Sequence, residues 1–126
     1  MSFNWADYLR FAESLVSTPS SPGPEEAALR AAISRAYYAA FCSARNLAES
    51  RGEMTRARRS TDHRLVIDHF QDAPEFVRQQ IGADLSRLRR FRNNADYDDR
   101  LKDTPLTVAQ LSVSIAHGIL TALGSL

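Results

Sequence analysis

The stretch that decides the fold of this chain is AISRAYYAAFCSARNLA, residues 32–48. Its apolar side chains recur every three or four residues, which places them on one face of an α-helix. The pattern continues on both sides and predicts a long helix over residues 25–51, with Gly52 as its C-terminal stop. The predicted core face consists of Leu29, Ile33, Ala36, Tyr37, Ala40, Phe41, Ala44, Leu47 and Ala48. Because many of these residues are alanines, another helix can approach closely. Cys42 lies beside this face and is expected to be a small, partly buried thiol.

A second amphipathic segment precedes this helix, over residues 4–17, and Pro19 and Pro22 end it. Pro24 then occupies the first position of the long helix, where its missing N–H does no harm. After an arginine-rich loop, HRLVIDHF (residues 63–70) predicts a short helix that is capped by Thr61 or Asp62.

Two further helices complete the pattern. Pro74 opens the fourth, and the fifth begins either with Thr104 before Pro105 or with a capping box of Thr107 and Gln110. The predicted core faces are Val77, Ile81, Leu85 and Leu88 in the fourth helix, and Val108, Leu111, Ile115, Ile119 and Leu123 in the fifth. Short connections between amphipathic helices imply antiparallel neighbours. The sequence therefore predicts an all-α fold, an up-and-down bundle of four to five helices in a single domain over residues 1–126.

Composition excludes several classes of function. The apolar fraction of 44% and charged fraction of 25% are those of an average globular domain, and a net charge of +1 indicates neither a polyanion nor an anionic membrane as partner. Cys42 alone cannot form an internal disulfide and fits a reducing compartment. The first residues do not resemble a signal peptide, and the most apolar stretch, residues 108–123, is too short for a bilayer. His63, His69 and His117 lack metal-ligand spacing, so we expect a cytoplasmic protein with no metal, no cofactor and no membrane contact.

The stretch RRFRNNADYDD, residues 89–99, breaks the pattern of the fourth helix. One turn beyond Leu88, the core-facing positions are occupied by Arg92 and Ala95. An unpaired guanidinium that faces a core costs several kcal/mol and never becomes neutral, so it requires an anion or an open cleft. Asp96 stands four residues after Arg92 and offers a local ion pair, although such a pair contributes only about 0.2 to 0.5 kcal/mol when exposed. The spacing alone leaves both interpretations open.

Other arginines surround this position in the sequence. Arg87, Arg89 and Arg90 share the fourth helix, and the loop before the third helix carries Arg56, Arg58 and Arg59. Fifteen of the 16 basic residues are arginine, which suits bidentate binding of phosphate but also follows from a GC-rich coding bias. Taken singly, the arginines of the fourth helix are typical of a solvated helix face.

Three segments together resemble the HEPN domains (higher eukaryotes and prokaryotes nucleotide-binding). They are AISRAYYAAFCSARNLAESRG (residues 32–52), STDHRLVIDHF (60–70) and LSRLRRFRNNADYDD (85–99). The resemblance covers roughly residues 5–123 and is greatest with the small prokaryotic branch that has an SRAYYA helix and an R-x-x-ADY ending. It implies a four- to five-helix bundle that forms a homodimer and binds nucleotide or RNA. It also implies a toxin–antitoxin or defence module in which a minimal nucleotidyltransferase is the partner.

The resemblance extends only partly to the catalytic motif of the family. Active members are metal-independent endoribonucleases with an arginine, a polar residue and then a histidine four to six residues further on. Arg92 and Asn93 match, but Tyr97 occupies the histidine position. A tyrosine with its ordinary pKa near 10 is a poor base at neutral pH, and loss of a general base typically slows a reaction by about 10² to 10⁴-fold. In an unbroken helix Arg92 and Tyr97 also point roughly 140° apart, so they converge only if the helix frays or ends near Asn94, and the Asn-Asn pair favours such an end.

The expected function is therefore binding of RNA or a nucleotide by a domain with a degenerate ribonuclease motif. The residues expected to contact the ligand are Arg92, Asn93, Asp96, Tyr97, Arg89, Arg35 and Tyr38. One alternative is an active endoribonuclease in which Arg92, Asn93 and Tyr97 suffice or a partner chain supplies the base. Another is a helical dimerisation or scaffold module in which Asp96 satisfies Arg92.

The sequence also predicts where several residues outside the motif lie. Tyr37 and Phe41 lie on the apolar face of the long helix and are expected in the core. Arg35 and Tyr38 lie off that face and could be surface residues, dimer contacts or the lining of an Arg92 cleft. His63, at the start of a helix, is expected to belong to the cap region.

Overall fold

The computed structural model describes residues 2–17 and 25–126, which form five α-helices and no strand. They are α1 (Ala6–Ser17), α2 (Glu25–Ser50), α3 (Asp62–Gln71), α4 (Phe76–Tyr97) and α5 (Pro105–Gly124). The predicted all-α helical bundle is confirmed, and apart from the end of α4 the helix boundaries lie within about two residues of those expected. The predicted roles of Pro19, Pro22 and Pro24 fall outside the described residues.

Helix α2 is the centre of the bundle and contacts each of the other four helices. Six of its alanines are fully buried: Ala32, Ala36, Ala39, Ala40, Ala44 and Ala48. Tyr37 and Phe41 are buried among them, as predicted, and Cys42 is also buried. Burial raises the pKa of the Cys42 thiol. Small side chains on several faces of one helix thus let three long helices pack around it.

Helix α2 ends as the sequence predicts. Gly52 has a φ of 69°, the left-handed conformation that glycine adopts without a steric penalty. Its N–H donates to the carbonyl of Glu49 at 3.0 Å, and the N–H of Glu53 donates to the carbonyl of Ala48 at 2.9 Å. These two bonds form a Schellman motif, which satisfies carbonyls that the end of a helix otherwise leaves unpaired.

The carboxylate of Asp62 organises the loop before α3. It accepts hydrogen bonds from the backbone N–H groups of Ala57 (2.7 Å), Arg58 (2.8 Å) and Arg59 (3.3 Å). These bonds lower the pKa of Asp62, the bond from Ala57 contributing most. Thr61 occupies the N-cap position, but its side chain makes no capping hydrogen bond to the residues described. Of the two predicted caps, Asp62 is therefore the one whose side chain is used, and it binds the preceding loop rather than the helix.

Helix α4 departs from the prediction in its first turn. It begins at Phe76 rather than Pro74, and Val77, which was predicted in the core, is 43% exposed. The first turn lies at the surface together with residues 74–76, so its apolar side chains are not covered by any of the five described helices. The predicted core positions Ile81, Leu85 and Leu88 are buried. Gly82 is also buried, and its backbone lies directly against the end of α3.

Helix α5 begins at Pro105 with Thr104 as its N-cap, so the capping box of Thr107 and Gln110 is wrong. The Oγ1 of Thr104 donates to the Oγ1 of Thr107 at 2.7 Å. Val108, Ile119 and Leu123 are buried as predicted, whereas Leu111 and Ile115 are only half-buried. The small residues Ala109, Ser112 and Ala116 are fully buried instead, and their size allows α5 to lie close to α2.

Helix α5 is longer than the apolar stretch expected from the sequence, so its length does not exclude a membrane span. Among the described residues, α5 is the one helix long and apolar enough to cross a bilayer, since its 20 residues exceed the apolar stretch of residues 108–123. A single such helix is weak evidence because core helices of globular proteins have the same composition. Helix α5 packs against α1, α2 and α4, so a membrane protein is not indicated.

Candidate functional site

The C-terminal end of α4 is held in place by an arginine from α2. The Nη1 of Arg30 donates to the carbonyls of Ala95 (3.0 Å) and Asp98 (2.6 Å), and its Nη2 donates to that of Asp99 (3.2 Å). Such bonds satisfy the carbonyls that have no partner at the end of a helix. The expectation that the helix ends near Asn94 is therefore wrong, since α4 continues to Tyr97 without a break.

Arg92 points inward, as predicted from its position on α4. Only 15% of its side chain is exposed, and the guanidinium lies 5.1 Å from the ring centre of Tyr38 on α2. Its Nη1 donates to the Oδ1 of Asn93 at 2.9 Å, and its Nε lies 2.9 Å from the Oδ2 of Asp96. The Nε–H group is shielded from solvent and is not directed at an acceptor in the part of the chain that the structure describes. Asp96 thus balances the charge of Arg92 but leaves its hydrogen-bonding capacity incompletely used.

Tyr97 comes close to Arg92 even though the helix is unbroken. The guanidinium of Arg92 lies 5.7 Å from the ring centre of Tyr97, and this tyrosine is 74% exposed. The expected separation of about 140° between the two positions is offset by the length of both side chains. Asp96 lies between them in sequence and accepts a long hydrogen bond of 3.4 Å from the Oγ of Ser34. We call this group, Arg92, Asn93, Asp96 and Tyr97 of α4 with Tyr38 of α2, the Arg92 site.

Arg89 lies one turn before Arg92 and is half-buried. It has no carboxylate partner within residues 2–17 and 25–126, and its positive charge adds to the effect of burial in lowering the pKa of His63. Arg87 and Arg90 are exposed and lie 5.6 Å and 5.9 Å from the ring centre of Phe91, on the solvated side of the helix. Of the three arginines before Arg92, Arg89 is therefore the one that lies near Tyr37 and His63.

The predicted ligand residues of α2 separate into two places. Tyr38 contacts Arg92, which assigns it to the lining of the Arg92 site. Arg35 lies one turn earlier, with its guanidinium 5.2 Å from the ring centre of Tyr8. This contact is with α1, and the structure does not join Arg35 to the Arg92 site.

His63 lies in the first turn of α3, as the sequence predicts, and its side chain packs against aromatic rings of α2. Its ring stacks on Phe41 with 4.5 Å between ring centres, and its Nδ1 lies 2.6 Å from the hydroxyl of Tyr37. The ring of Tyr38 lies 6.0 Å away on the other side, so Tyr38 is shared between His63 and Arg92. Sequence reasoning assigned His63 no part in the site, although a signal was present: His63, Val66, Ile67 and Phe70 recur at helical spacing, which places the imidazole on the core-facing side of α3.

The bond between Tyr37 and His63 fixes the tautomer of the imidazole. Tyr37 is fully buried, and burial raises the pKa of its hydroxyl well above the ordinary value, so the O–H remains protonated. If Nδ1 carried the proton instead, this buried O–H would have no acceptor among the described residues, at a cost of about 1–3 kcal/mol. The O–H of Tyr37 therefore donates to Nδ1, and the proton of the neutral imidazole is on Nε2. Burial, together with the charges of Arg89 and Arg92, lowers the pKa of His63 and keeps it neutral.

This arrangement decides what the site can do chemically. The lone pair on Nδ1 of His63 accepts the hydrogen bond from Tyr37. The group that the imidazole still offers is therefore Nε2–H, which is a donor and not a base. Tyr97 is the alternative base, and a tyrosine is suited to donate a hydrogen bond rather than to accept a proton near neutral pH. The arginines and the imidazole N–H are all donors, which suits a ligand rich in acceptors, such as a phosphodiester. Within the described residues, no group of three His, Cys, Asp or Glu side chains could hold a metal ion.

Comparisons with known proteins return no match for this chain. No protein-family model matches the sequence, and neither a curated protein nor a solved structure does so. The resemblance to HEPN domains therefore depends on the motifs in residues 32–52, 60–70 and 85–99 alone.

Proposed function

We propose that this chain is a helical domain that binds single-stranded RNA or a nucleotide at the Arg92 site without cleaving it. The main support is Arg89, which lies one turn of α4 before this site and is a half-buried guanidinium with no carboxylate partner among the residues described. Beside it, Arg92 lies between the rings of Tyr38 and Tyr97. An arginine without a carboxylate partner near an exposed aromatic ring is a combination by which proteins hold a nucleic-acid strand, with a phosphate at the cation and a base on the ring.

Charges around the site support one orientation of the strand. Asp98 and Asp99 are exposed next to Tyr97 and repel a phosphate at that end of α4. A phosphate is attracted instead to Arg89 and Arg92, while the exposed ring of Tyr97 offers a stacking surface for a base. Binding without turnover is favoured because neither Tyr97 nor His63 supplies a free base to deprotonate a 2′-hydroxyl.

The test is a binding assay with a matched set of arginine variants. We expect a short 3′-fluorescein RNA to bind with an affinity that falls between about 50 and 200 mM salt, and Arg89→Ala and Arg92→Ala each to reduce the salt slope by about 1. Arg87→Ala is the control, since it removes the same charge from the solvated face of the same helix. No saturable binding, or equal losses in all three variants, would refute the proposal. RNA cleavage above the level of Arg92→Ala would instead establish the endoribonuclease.

A scaffold without a ligand is the second candidate, and the ion pair between Arg92 and Asp96 favours it. This candidate predicts a dimer in light scattering, at twice the chain mass of 14.1 kDa, together with no RNA binding at any salt concentration. Arg92→Ala would then affect stability alone.

The resemblance to HEPN domains supports the cellular role that we propose. The chain would act as a cytoplasmic homodimer within a toxin–antitoxin or defence module, with a minimal nucleotidyltransferase as partner. Co-expression with the product of a neighbouring nucleotidyltransferase gene tests this role, and failure of the two chains to co-purify would argue against it.

A further inference from the structure

A separate cavity of about 470 Å³ is lined by Tyr38 but not by Arg92. Its walls come from the residue before α1, from α2, from the loop before α3 and from the first turn of α3, whereas Arg89 and Arg92 do not line it. We call it the loop pocket. The volume lies within the range of about 300–1,000 Å³ that is usual for small-molecule sites.

One wall of the loop pocket is aromatic. It consists of Trp5, Tyr38, Phe41 and His63. The imidazole of His63 is held by two contacts, stacking on Phe41 and the hydrogen bond from Tyr37, so its orientation is fixed before any ligand arrives. Flat, preorganised rings favour a planar aromatic group such as a nucleobase.

The other wall carries positive charge that the protein itself does not neutralise. Arg58 and Arg59 are exposed, line the pocket and make no ion pair within the part of the chain that the structure describes. Arg45 also lines it, but Arg45 is engaged with Glu49 at 3.7 Å and with the amide oxygen of Asn46. The two loop arginines are therefore the cations that remain for a ligand.

The only carboxylate on the lining, among the described residues, is that of Asp62, and its oxygens accept three backbone N–H bonds. The remaining polar groups of the wall are mainly donors: the guanidinium groups of the three arginines and the Nε2–H of His63, for which no partner is seen in residues 2–17 or 25–126. The hydroxyl groups of Tyr38 and Ser60 can donate or accept. A pocket with donors opposite aromatic rings is complementary to an anion attached to a planar ring. A phosphomonoester is favoured because its two negative charges match the two arginines.

We propose that the loop pocket binds a nucleoside monophosphate group, with the base against Tyr38 and His63 and the phosphate between Arg58 and Arg59. This group is either the 5′-phosphorylated end of the RNA strand at the Arg92 site or a free mononucleotide. The first source rests on the proposed function, because it requires a strand that continues from Arg92 past Tyr38, whereas the second does not.

The experiment compares ligands that differ only in the phosphate. Two 3′-fluorescein RNAs of the same sequence, one with a 5′-phosphate and one with a 5′-hydroxyl, are titrated into the full chain, and AMP and adenosine are titrated by calorimetry. The test variant is Arg58→Asn with Arg59→Gln. Asparagine tolerates the φ of 60° at position 58, and both substitutions keep the backbone N–H groups that Asp62 binds. Arg64→Ala is the control, since Arg64 is an exposed arginine of α3 that does not line the pocket.

The outcomes separate this inference from the proposed function. A preference of about tenfold or more for the 5′-phosphorylated RNA, lost in the double variant and kept in Arg64→Ala, supports a strand end in the pocket. Binding of AMP over adenosine that survives Arg92→Ala supports a free mononucleotide, even if RNA does not bind. Equal affinity for both RNAs, with no binding of AMP, overturns the inference. In that case RNA binding that still depends on Arg89 and Arg92 leaves the proposed function intact.

Discussion

Replacing Gly82 by alanine tests how closely α3 and α4 approach each other. A Cβ at position 82 would lie 2.6 Å from both the Cγ and the backbone N of Gln71, and 3.0 Å from its Cα. Carbon atoms pack at about 3.5–4.0 Å, so the end of α3 would have to move by roughly 1 Å. A backbone atom cannot rotate away as a side-chain atom can, and the adjacent Phe70 is fully buried, which anchors this end of the helix.

The magnitude follows from two opposing effects. Alanine favours a helix interior over glycine by about 1 kcal/mol, whereas overpacking a close contact costs about 1–3 kcal/mol. With backbone atoms in the way, the cost lies at the upper end of that range, and we expect Gly82→Ala to lower the free energy of unfolding by about 2 kcal/mol. Gly118→Ala is the control: it lies within α5, and its added Cβ meets no atom within 4 Å. That variant should be about 0.5–1 kcal/mol more stable than the native chain.

Urea unfolding followed by far-UV circular dichroism measures both variants. The expected difference between them is about 2.5–3 kcal/mol, with unchanged m-values. If Gly82→Ala and Gly118→Ala are equally stable, then α3 does not lie against α4 as described. Because His63 is carried on α3, a confirmed loss should be accompanied by a change in the NMR signals of its imidazole.

Three further predictions concern titratable groups. Arg78 holds the pKa of Glu53 at about 2, so this carboxylate stabilises the fold above about pH 4.5 and the contribution disappears as the pH falls towards 2. Glu53→Gln should therefore lower the free energy of unfolding by about 1–2 kcal/mol near pH 7, after allowance for solvent screening, and by almost nothing below about pH 2. An equal loss of stability at both pH values would contradict this. Long-range ¹H–¹⁵N NMR should show the Nε2–H tautomer of His63 and a titration midpoint below its ordinary value, whereas Tyr37→Phe should lose the tautomer preference. Cys42 should react with a thiol reagent far more slowly in the native chain than in guanidinium, because it is buried and its pKa is raised; equal rates would show that it is accessible.

The sequence predicts most of the fold because the fold depends on local spacing. The apolar face of α2 and the glycine that ends it are both visible in consecutive residues, and both are confirmed. Val77 continues the periodicity of α4 but is exposed, since periodicity shows which face is apolar and not how far a neighbouring helix extends. Arg92 follows the same helical periodicity as Leu85, so its inward direction is predictable from the sequence in the same way.

The rest of the site depends on residues that are distant in sequence. The end of α4 is fixed by Arg30, which is 65 residues away from Ala95, so no local pattern could show that the helix continues to Tyr97. The helical spacing of α3 shows that His63 faces inward, but its bond to Tyr37 depends on how α3 lies against α2. That bond removes the histidine from consideration as a base, a conclusion that the residue type alone would not allow.

The three backbone bonds to Asp62 have a consequence for kinetics. Residues 57–59 form one stiff unit with the first turn of α3, so the segment already has its shape before any encounter in solution. A partner that touches this segment does not have to wait for a loop to become ordered. Its association rate is then limited by diffusion and electrostatic steering, and not by a conformational step of the protein.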